Sequence, residues 1–326
     1  MSFKINFTDF WPGFEKDNFF LKFLQKHFDV VISAQPDYLF CSVYSYNHLK
    51  FKDCIKILYT GENLVPDFNL FDYALGFHFI DFSDRYMRFP LYVLYSSNYN
   101  KAVLGNTFRN CSNKELIERS FCNFVYSNSS NSDPLREKFF RELSKYKKID
   151  SGGKYLNNIG SSVTDKLAFI KNYKFTIAFE NSSVPGYTTE KLLDPMIMNS
   201  IPIYYGNPLV DRDFNIESLI LVKNITDFDR AIEKIINLDK DNDAYLEMLR
   251  KPWTNNGVTM EHWEEKLLNF FTNIFNQALP VAKRKAIYGF NRYHTDILQL
   301  QVALLERKKK INRFKAKIKR FIGKEL

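Results

Sequence analysis

Four side chains suited to binding a nucleotide lie close together between residues 174 and 206, KFTIAFENSSVPGYTTEKLLDPMIMNSIPIYYG. They are Asn181, Tyr187, Glu190 and Lys191. A lysine can neutralise a phosphate, and a glutamate can accept hydrogen bonds from both hydroxyls of a ribose. A tyrosine offers a stacking face, and an asparagine offers polar groups. Together these residue types predict a site for a nucleoside diphosphate.

The pattern around these residues predicts the elements that position them. Residues 175–179 are predicted to be a strand, and a polar loop with Pro185 and Gly186 follows. A helix is predicted to begin near Thr188, and a second strand covers residues 201–205. In such a βαβ unit the loop leads into the positive end of a helix, where backbone N–H groups and the helix dipole favour a phosphate.

Two blocks of sequence resemble a known family. FENS, GYTTEK and IPIYYG are similar to the donor-binding signature of the α1,3-fucosyltransferases, glycosyltransferase family ten, and most like its bacterial members. YTGENLVPDFNLFDYALGF and the following DRYMRFPLY resemble the Helicobacter-type enzymes. The resemblance covers roughly residues 3 to 275, and several motifs in register are more specific than one glycine-rich match. The alternative interpretation is a buried βαβ unit with an ordinary polar loop.

The pattern of strands and helices agrees with the fold that the resemblance implies. Strands alternate with helical stretches up to about residue 112, and a second set begins near Cys122. The resemblance implies an α/β fold of GT-B type, in which two Rossmann-like domains face a cleft. We expect an acceptor-binding domain at residues 1–112, a GDP-fucose-binding domain at 113–275 and a helical extension with a basic amphipathic tail at 276–326. The individual predictions are strands at 3–7, 55–59 and 73–77 and in FDVVIS, DYLFC and SLILV, and helices at 15–27, 133–145 and 227–238.

The resemblance implies an inverting transfer of L-fucose from GDP-fucose to O3 of GlcNAc in Galβ1-4GlcNAc. Such a product is Lewis x-type glycan in lipopolysaccharide. A different acceptor, or α1,4 linkage, is the alternative within the family. A non-catalytic protein that uses the same fold and its basic tail to bind a membrane or nucleic acid is the alternative of another class.

The reaction needs a base for the acceptor hydroxyl. Glu62 follows a predicted strand and matches the GE motif of the family, whose glutamate is the proposed base. A carboxylate at a strand end can also be a helix cap or a salt-bridge partner. Asp67 and Asp72 are nearby rivals, although in PDFNLFD they fit the pattern of caps better.

The departing GDP needs positive charge, for which Arg136 and Lys191 are the candidates. Arg136 lies in SDPLREKFF, where family members place a pyrophosphate-binding arginine, and a guanidinium can hold two phosphate oxygens at once. The alternative is an exposed helical arginine paired with Glu137 or Glu142. The resemblance further implies that Glu190 binds the ribose and Tyr187 the nucleotide. Other expected donor-site residues are Asn181, Val125, Ser127 and Asn128, with Lys166 as a weaker candidate for the guanine.

The sequence says less about which residues bind the acceptor. Trp11 in the loop WPGF resembles an acceptor-facing aromatic of the family, and an indole suits stacking on galactose. Arg85 and Arg88 are expected either to organise Glu62 or to bridge the domains. No DxD motif lies where a metal-dependent sugar transferase would need one. We therefore expect no metal and no cofactor, with GDP-fucose and an N-acetyllactosamine-type glycan as substrates.

Charge is concentrated in the tail. Residues 307–326 hold ten of the 46 lysines and arginines and one of the 37 acidic residues, so the other 306 residues carry 36 charges of each sign. Within the tail, apolar residues recur at spacings of three and four, which predicts an amphipathic helix on an anionic membrane surface. A solvated disordered tail is the alternative, and nucleic acid is not an expected partner. Oligomeric state stays open, because no clear copy of the heptads that pair subunits in related Helicobacter enzymes is found.

The N-terminal residues, the apolar runs and the cysteines together predict the cellular compartment. The start MSFKINFTDFW shows no signal-peptide pattern, and no run of about 18 apolar residues exists. The four cysteines have no metal-ligand spacing and suit reduced thiols. We expect a cytoplasmic protein, peripheral on the inner membrane of a Gram-negative bacterium.

Overall fold

The computed structural model describes residues 2–14, 18–104, 111–127, 130–255 and 258–322. Eleven strands and twelve α-helices are assigned in these ranges. The strands form two sheets in which every neighbouring pair is parallel. Because parallel strands need crossover connections, the helices cover both faces of each sheet. The predicted α/β fold with two parallel sheets is confirmed.

The first sheet has six strands in the order β2-β1-β3-β4-β5-β6. Every residue of β4 is buried, as expected for a central strand of a parallel sheet. Helix α1 follows β1, and α2 and α3 follow β6. The bounds are β1 Phe3–Thr8, α1 Phe19–His27, β2 Val30–Ile32, β3 Tyr38–Cys41, β4 Ile55–Tyr59, β5 Tyr73–Gly76, β6 Tyr86–Arg88, α2 Leu91–Leu94 and α3 Ser96–Leu104.

The second sheet has five strands in the order β11-β10-β9-β7-β8. Its central strand β9 is buried at all seven positions, and β10 pairs with it in register from Ile201 opposite Phe175. The bounds are α4 Asn113–Ile117, β7 Ser120–Phe124, α5 Leu135–Ser144, β8 Ile149–Ser151, α6 Lys166–Ile170, β9 Tyr173–Phe179, α7 Glu190–Ile197, β10 Ile201–Tyr205, β11 Ile220–Leu221, α8 Phe228–Lys240 and α9 Asn242–Leu249.

The boundaries of several elements differ from the sequence-based expectation by a few residues. Helix α1 begins at Phe19, because the Asn18 side chain accepts a hydrogen bond from Leu21 N and caps it there. Residues 15–17 of the predicted helix lie outside the described residues. Helix α7 begins two residues after Thr188, since Thr189 is its cap. Strands β6 and β8, of three residues each, were not predicted.

Helix α10, Met260–Phe275, returns to the first sheet. Phe271 lies 5.7 Å from Phe40 of β3, and Phe275 stacks on Phe3 of β1 at 4.6 Å, both between ring centroids. The apolar face of α10 therefore belongs to the first core, although the sequence assigned residues 113–275 to the second domain.

The chain ends in α11, Leu279–Ala282, and the long helix α12, Phe290–Ile322. Leu298 and Val302 of α12 pack against the cluster on the outer face of the first sheet. From there on, the described side chains of α12 are exposed. No helix in the described ranges is long and apolar enough to cross a membrane.

Candidate active site

A cavity of about 380 Å³ lies at the carboxyl ends of β7 and β9, where ligands bind in open parallel sheets. It brings together seven of the predicted site residues: Val125, Ser127, Arg136, Lys166, Asn181, Glu190 and Lys191. Asn128 lies outside the described residues. The cavity is polar and cationic, which suits a phosphate-bearing ligand.

Arg136 is held in the wall of this cavity. It is only 2% exposed, and its Nη2 donates to the carbonyl of Phe179 (3.0 Å) and to Asn181 Oδ1 (2.9 Å). Its guanidinium lies 4.0 Å from the centre of the Tyr126 ring. The alternative of an exposed arginine paired with Glu137 or Glu142 is therefore wrong. The face of α5 that carries Arg136 is directed toward β9. Asp133, just before α5, fixes this orientation, because its N–H donates to the Asn181 carbonyl at 2.8 Å.

Lys191 lies between two carboxylates. Its Nζ is 3.3 Å from Glu180 Oε2 and 3.6 Å from Glu190 Oε1. Burial opposes the charge of Lys191, but the two carboxylates outweigh it and raise its pKa. Burial also raises the pKa of Glu190, but the charges of Lys191 and Lys166 more than offset this and lower it. Lysine and glutamate thus both stay charged at neutral pH.

The positive end of α7 is already occupied, which corrects one expectation. Glu180 is fully buried, and its Oε1 accepts hydrogen bonds from Thr189 N (2.7 Å) and Thr189 Oγ1 (2.9 Å). Lys191 N donates to Thr189 Oγ1, and Glu190 N to its own carboxylate. Since a carboxylate and a cap already accept these N–H groups, the helix terminus does not offer them to a phosphate as predicted. The side chains must supply the positive charge.

Lys166 begins α6 and is not a solvated lysine. Its Nζ donates to Asp194 Oδ2 at 2.7 Å across to α7. Asp194 is largely buried, and this burial raises the pKa of its carboxyl group despite Lys166. The contact fixes Lys166 at the edge of the cavity that also contains Glu190.

Tyr187 does not offer the predicted stacking face. It is 2% exposed, and its ring lies 5.1 Å from that of Phe77, which follows β5 of the first sheet. The loop before it approaches the first domain closely at Gly186, whose φ is +87°. A Cβ at Gly186 would lie 2.3 Å from the Phe77 carbonyl oxygen. Tyr187 and Gly186 therefore belong to the contact between the domains, because the apolar ring is buried there.

Glu62 lies beyond the carboxyl end of β4 and is exposed. Its Oε1 accepts a hydrogen bond of 2.7 Å from the Tyr44 hydroxyl. The Trp11 ring lies 5.9 Å from the Tyr44 ring in an edge-on arrangement and packs on Phe14. The predicted base and the predicted acceptor-side aromatic therefore share one neighbour, Tyr44.

The two rival carboxylates are placed differently. Asp67 accepts a hydrogen bond from Asn69 N within its own turn, in agreement with its interpretation as a cap. Asp72 is fully buried and accepts from the backbone N–H groups of Lys56, Arg284 and Lys285. It is therefore not a helix cap. It is a buried carboxylate that links two backbone segments, and a substrate cannot reach it.

The two arginines of DRYMRFP do not organise Glu62 through any hydrogen bond in the described part of the chain. Arg85 donates to the carbonyls of Phe68, Phe71 and Asp72. Arg88 donates to both oxygens of Asp213, which follows β10 of the second sheet, with one distance of 3.0 Å. Arg88 therefore bridges the domains, one of the two roles expected for it.

Glu62 faces the same cleft as the cationic cavity. Burial raises the pKa of the Tyr95 phenol to about 12; the carboxylates of Glu190, Asp194 and Glu62 raise it further, and Lys191 opposes them. Asn63 Nδ2, next to Glu62, donates to Ser182 Oγ at 2.6 Å. Since Ser182 follows Asn181 in the donor loop, the two halves of the predicted site meet across this contact.

Sequence reasoning missed three residues of the site. Tyr44, Glu180 and Asp194 contact Glu62, Lys191 and Lys166 respectively. Tyr44 and Glu180 both follow the carboxyl end of a strand, which is the signal that singled out Glu62 and Asn181. In the described ranges, no group of three or more His, Cys, Asp or Glu is placed to hold a metal ion.

Comparison with known proteins gives two matching family models. The model of the α-(1,3)-fucosyltransferase FucT N-terminal domain matches residues 5–95. The model of the glycosyltransferase family 10 (fucosyltransferase) C-terminal region matches residues 117–284, which is just over half of the chain. The N-terminal match covers the first sheet from residue 5 onward, and the C-terminal match contains the second sheet.

Individual proteins agree with the family models. The chain is 36% identical over 231 residues to α-(1,3)-fucosyltransferase FucT of Helicobacter pylori, which covers 62% of this chain and 48% of the relative. It is 31% identical over 242 residues to α-(1,3)-fucosyltransferase B of Drosophila melanogaster, covering 68% of this chain and 49% of the relative. The chain therefore spans about half the length of these relatives. A crystal structure of an α1,3-fucosyltransferase with GDP-fucose matches with a TM-score of 0.70 and 28% identity, over 85% of this chain and 91% of that one.

Proposed function

This chain belongs to the fucosyltransferases of glycosyltransferase family 10, and we propose that it transfers L-fucose from GDP-fucose to O3 of GlcNAc in Galβ1-4GlcNAc. One observation carries the proposal: a cavity has Arg136 and Lys191 in its wall, and the loop of Glu62 contacts the donor loop through the hydrogen bond from Asn63 to Ser182. The structural relative with GDP-fucose supports the choice of donor. The product would be a Lewis x-type glycan, as in lipopolysaccharide.

The donor side stabilises the departing GDP. As the bond between the anomeric carbon and the β-phosphate oxygen breaks, both electrons stay on that oxygen and the diphosphate gains negative charge. Arg136 and Lys191 lie in the cavity wall to meet that charge, and both are held in place before substrate arrives. Glu190, on the same wall, accepts hydrogen bonds from the ribose hydroxyls.

The acceptor side supplies the base. Glu62 takes the proton of the acceptor hydroxyl. At the same time the acceptor oxygen bonds to the anomeric carbon from the face opposite GDP, and this inverts the configuration. The hydrogen bond from Tyr44 goes to Oε1, and Oε2 has no hydrogen-bond partner among the residues that the structure describes. Oε2 is therefore the oxygen that receives the proton. Trp11, beside Tyr44, stacks on the galactose.

An assay with a panel of donors tests this function. The protein is offered N-acetyllactosamine with GDP-fucose, and in parallel with other GDP- and UDP-sugars. We expect transfer from GDP-fucose alone, and NMR of the product should show fucose α-linked to O3 of GlcNAc. Transfer from another donor but not from GDP-fucose would refute the proposal, and linkage to O4 would replace the acceptor assignment while keeping the donor.

We also propose that the reaction needs no metal and no further cofactor. The support is that Arg136 and Lys191 line the cavity, and two cations can neutralise the charge of a diphosphate. Turnover should be unchanged when EDTA is added, and it should not rise when Mg²⁺ or Mn²⁺ is supplied. Loss of turnover with EDTA that Mn²⁺ restores would contradict this.

The tail is proposed to hold the protein on an anionic membrane surface on the cytoplasmic side of the inner membrane of a Gram-negative bacterium. Three apolar residues of the expected stripe, Ile311, Phe314 and Ile318, are exposed on α12, while the side chains of Phe321 and Ile322 lie outside the described part. Each lysine or arginine near such a surface contributes about 1 kcal/mol. Deleting residues 307–326 should abolish sedimentation with anionic liposomes and leave turnover on a soluble acceptor unchanged. Sedimentation that survives the deletion would contradict the anchor.

A further inference from the structure

A second cavity lies away from the cleft, between the outer face of the first sheet and the first turns of α12. Its volume is about 300 Å³. Four cations, Lys52, Lys56, Lys285 and Arg292, are among its lining residues, against one acidic residue, Asp296. The cavity is therefore strongly positive, although residues 1–306 as a whole carry equal numbers of each charge.

Lys56 is the unusual member of this group. It lies on β4 and is only 5% exposed, and no carboxylate pairs with it in the described part of the chain. Lys285 lines the same cavity, and its Nζ donates to the Leu70 carbonyl at 3.4 Å. Burial and the charge of Lys285 lower the pKa of Lys56 to about 8. A buried cation beside another cation is unfavourable unless something compensates it.

The fold forces the two lysines together. Asp72, fully buried, accepts hydrogen bonds from Lys56 N (2.9 Å) through one oxygen, and from Arg284 N (2.9 Å) and Lys285 N (3.0 Å) through the other. This carboxylate ties the segment before α12 to β4 and so places Lys285 next to Lys56. Its own hydrogen bonds go to the backbone, so it holds the lysines in place without forming an ion pair with either.

The neighbouring thiols supply no negative charge either. Burial raises the pKa of Cys41 well above its ordinary value and also raises that of Cys54. Both thiols are therefore neutral at pH 7. The one acidic lining residue, Asp296, lies 4.0 Å from Arg292. The buried Lys56 and the half-buried Lys285 therefore offer N–H donors with no carboxylate paired to either in the described part of the chain. An external anion with several oxygens would satisfy these donors and remove the repulsion between the lysines.

We propose that this cavity is a binding site for a phosphate group, presented as a free phosphate or phosphomonoester or as the headgroup of an anionic phospholipid. Both sources share the same chemistry, oxygen acceptors on a compact anion. The first turns of α12 form one wall, and the same helix continues into the basic tail. The proposal does not depend on fucosyl transfer.

Chemical labelling of individual lysines tests it on the full chain. The protein is treated with a trace of acetic anhydride, and acetylation at each lysine is measured by mass spectrometry. Inorganic phosphate is compared with chloride at equal ionic strength. Acetylation of Lys56 and Lys285 should be about tenfold slower when phosphate is at about ten times its Kd, because a bound anion masks both amines. Lys50, exposed and outside the lining, is the internal control.

A second arm separates the two sources of phosphate. Vesicles of phosphatidylcholine with and without phosphatidic acid replace the free anion. Protection by inorganic phosphate identifies a site for a soluble ligand, and protection by phosphatidic acid vesicles alone identifies a headgroup site. Equal labelling of Lys56 in all conditions, or equal protection at Lys50, would overturn the proposal. Because labelling is read at each lysine, phosphate bound at the donor cavity does not affect the result.

Variants give an independent check. In Lys56→Met, an apolar side chain of similar length replaces the buried lysine, and Lys285 remains as the reporter. We expect phosphate protection of Lys285 to be lost in this variant and to persist in Lys50→Met. Full protection of Lys285 in Lys56→Met would show that Lys56 takes no part. Fucosyl transfer should be the same in both variants, because neither residue lines the donor cavity.

Discussion

The two sides of the cleft hold their functional groups in different ways. On the donor side, Lys191 lies between the carboxylates of Glu180 and Glu190, and Arg136 is 2% exposed. On the acceptor side, Glu62 is exposed and receives one hydrogen bond, from Tyr44. The donor residues are buried or half-buried in the cavity wall, whereas the base lies on a loop. A substitution on the donor side should therefore change stability as well as activity, and one at Glu62 should change activity alone.

The chemistry explains this difference. Charge that develops on a leaving diphosphate is stabilised best by groups that are already fixed and need no rearrangement. A general base must instead meet an acceptor that arrives from solvent, so it has to be accessible. The four predictions below test this comparison.

The largest effect is expected at the base. Glu62→Gln keeps the shape of the side chain and its hydrogen bond from Tyr44 but cannot accept the proton. Turnover should fall by about 10²-fold or more, the usual scale for removal of a general base. The Kd of GDP and the melting temperature should be unchanged, as measured by calorimetry. Near-normal turnover would show that Glu62 is not the base.

The second prediction concerns Lys191. Lys191→Met leaves Glu180 buried without its cation, and breaking such a buried pair costs about 3 kcal/mol of unfolding free energy. GDP binding should weaken as well. Lys191→Arg, which keeps the charge, is the matched control and should retain most of the stability.

This loss should depend on pH. Burial raises the pKa of Glu180 above its ordinary 4.5, and removal of Lys191 raises it further. A carboxyl group whose pKa is higher in the folded state binds more protons there, so stability falls as pH rises from 4.5 through the folded-state pKa. Lys191→Met should be nearly as stable as the parent at pH 4 and clearly less stable at pH 7 in chemical unfolding. Adding Glu180→Gln should remove this pH dependence, and an unchanged dependence would contradict the ion pair.

The third prediction tests the contact that aligns the two sides. Gly186 and Gly160 both have φ of +87°, but a Cβ at Gly186 would meet the Phe77 oxygen at 2.3 Å, while at Gly160 nothing lies within 4 Å. Gly160→Ala should cost about 1 kcal/mol of unfolding free energy from backbone strain. Gly186→Ala should cost about 1 to 2 kcal/mol more, and it should also lower turnover because the domains shift apart. Equal effects of the two changes would show that the contact with Phe77 is unimportant.

The smallest effect is expected at Tyr44. Tyr44→Phe removes the hydroxyl that orients Glu62, and a hydrogen bond to a charged group contributes about 1.5 kcal/mol, or about tenfold in turnover. The exposed neighbour Tyr46 forms no hydrogen bond with Glu62 in the part of the chain that the structure describes, so Tyr46→Phe is the control. The KM for GDP-fucose should be unchanged in both, as measured in initial-rate assays. A rise in that KM for Tyr44→Phe, with kcat unchanged, would place Tyr44 on the donor side instead.

Much of the fold could be predicted from the sequence, because apolar runs with turn residues between them mark parallel strands. Strands β4 and β10 have the predicted bounds. The return of α10 to the first sheet could not be predicted, since a long-range contact such as that of Phe275 with Phe3 leaves no local signal.

The same holds for the candidate site. The sequence identified residues that line the donor cavity, because their types and their places after strands are local facts. It could not show that Tyr187 is buried against Phe77, or that Glu180 occupies the terminus of α7. Both depend on groups that approach from elsewhere in the chain.

By itself, the amino-acid sequence determined the two parallel sheets, the family and the residue types that gather at the strand ends. Only the tertiary structure decided which charges are paired. Arg136 is buried over Tyr126, and Lys191 is shared by two carboxylates. Lys56 is buried, with Lys285 in the same cavity, and forms no ion pair within the described ranges. The pKa and the role of a charged side chain depend on burial and on its neighbours in space, and these are set by packing, not by position in the chain.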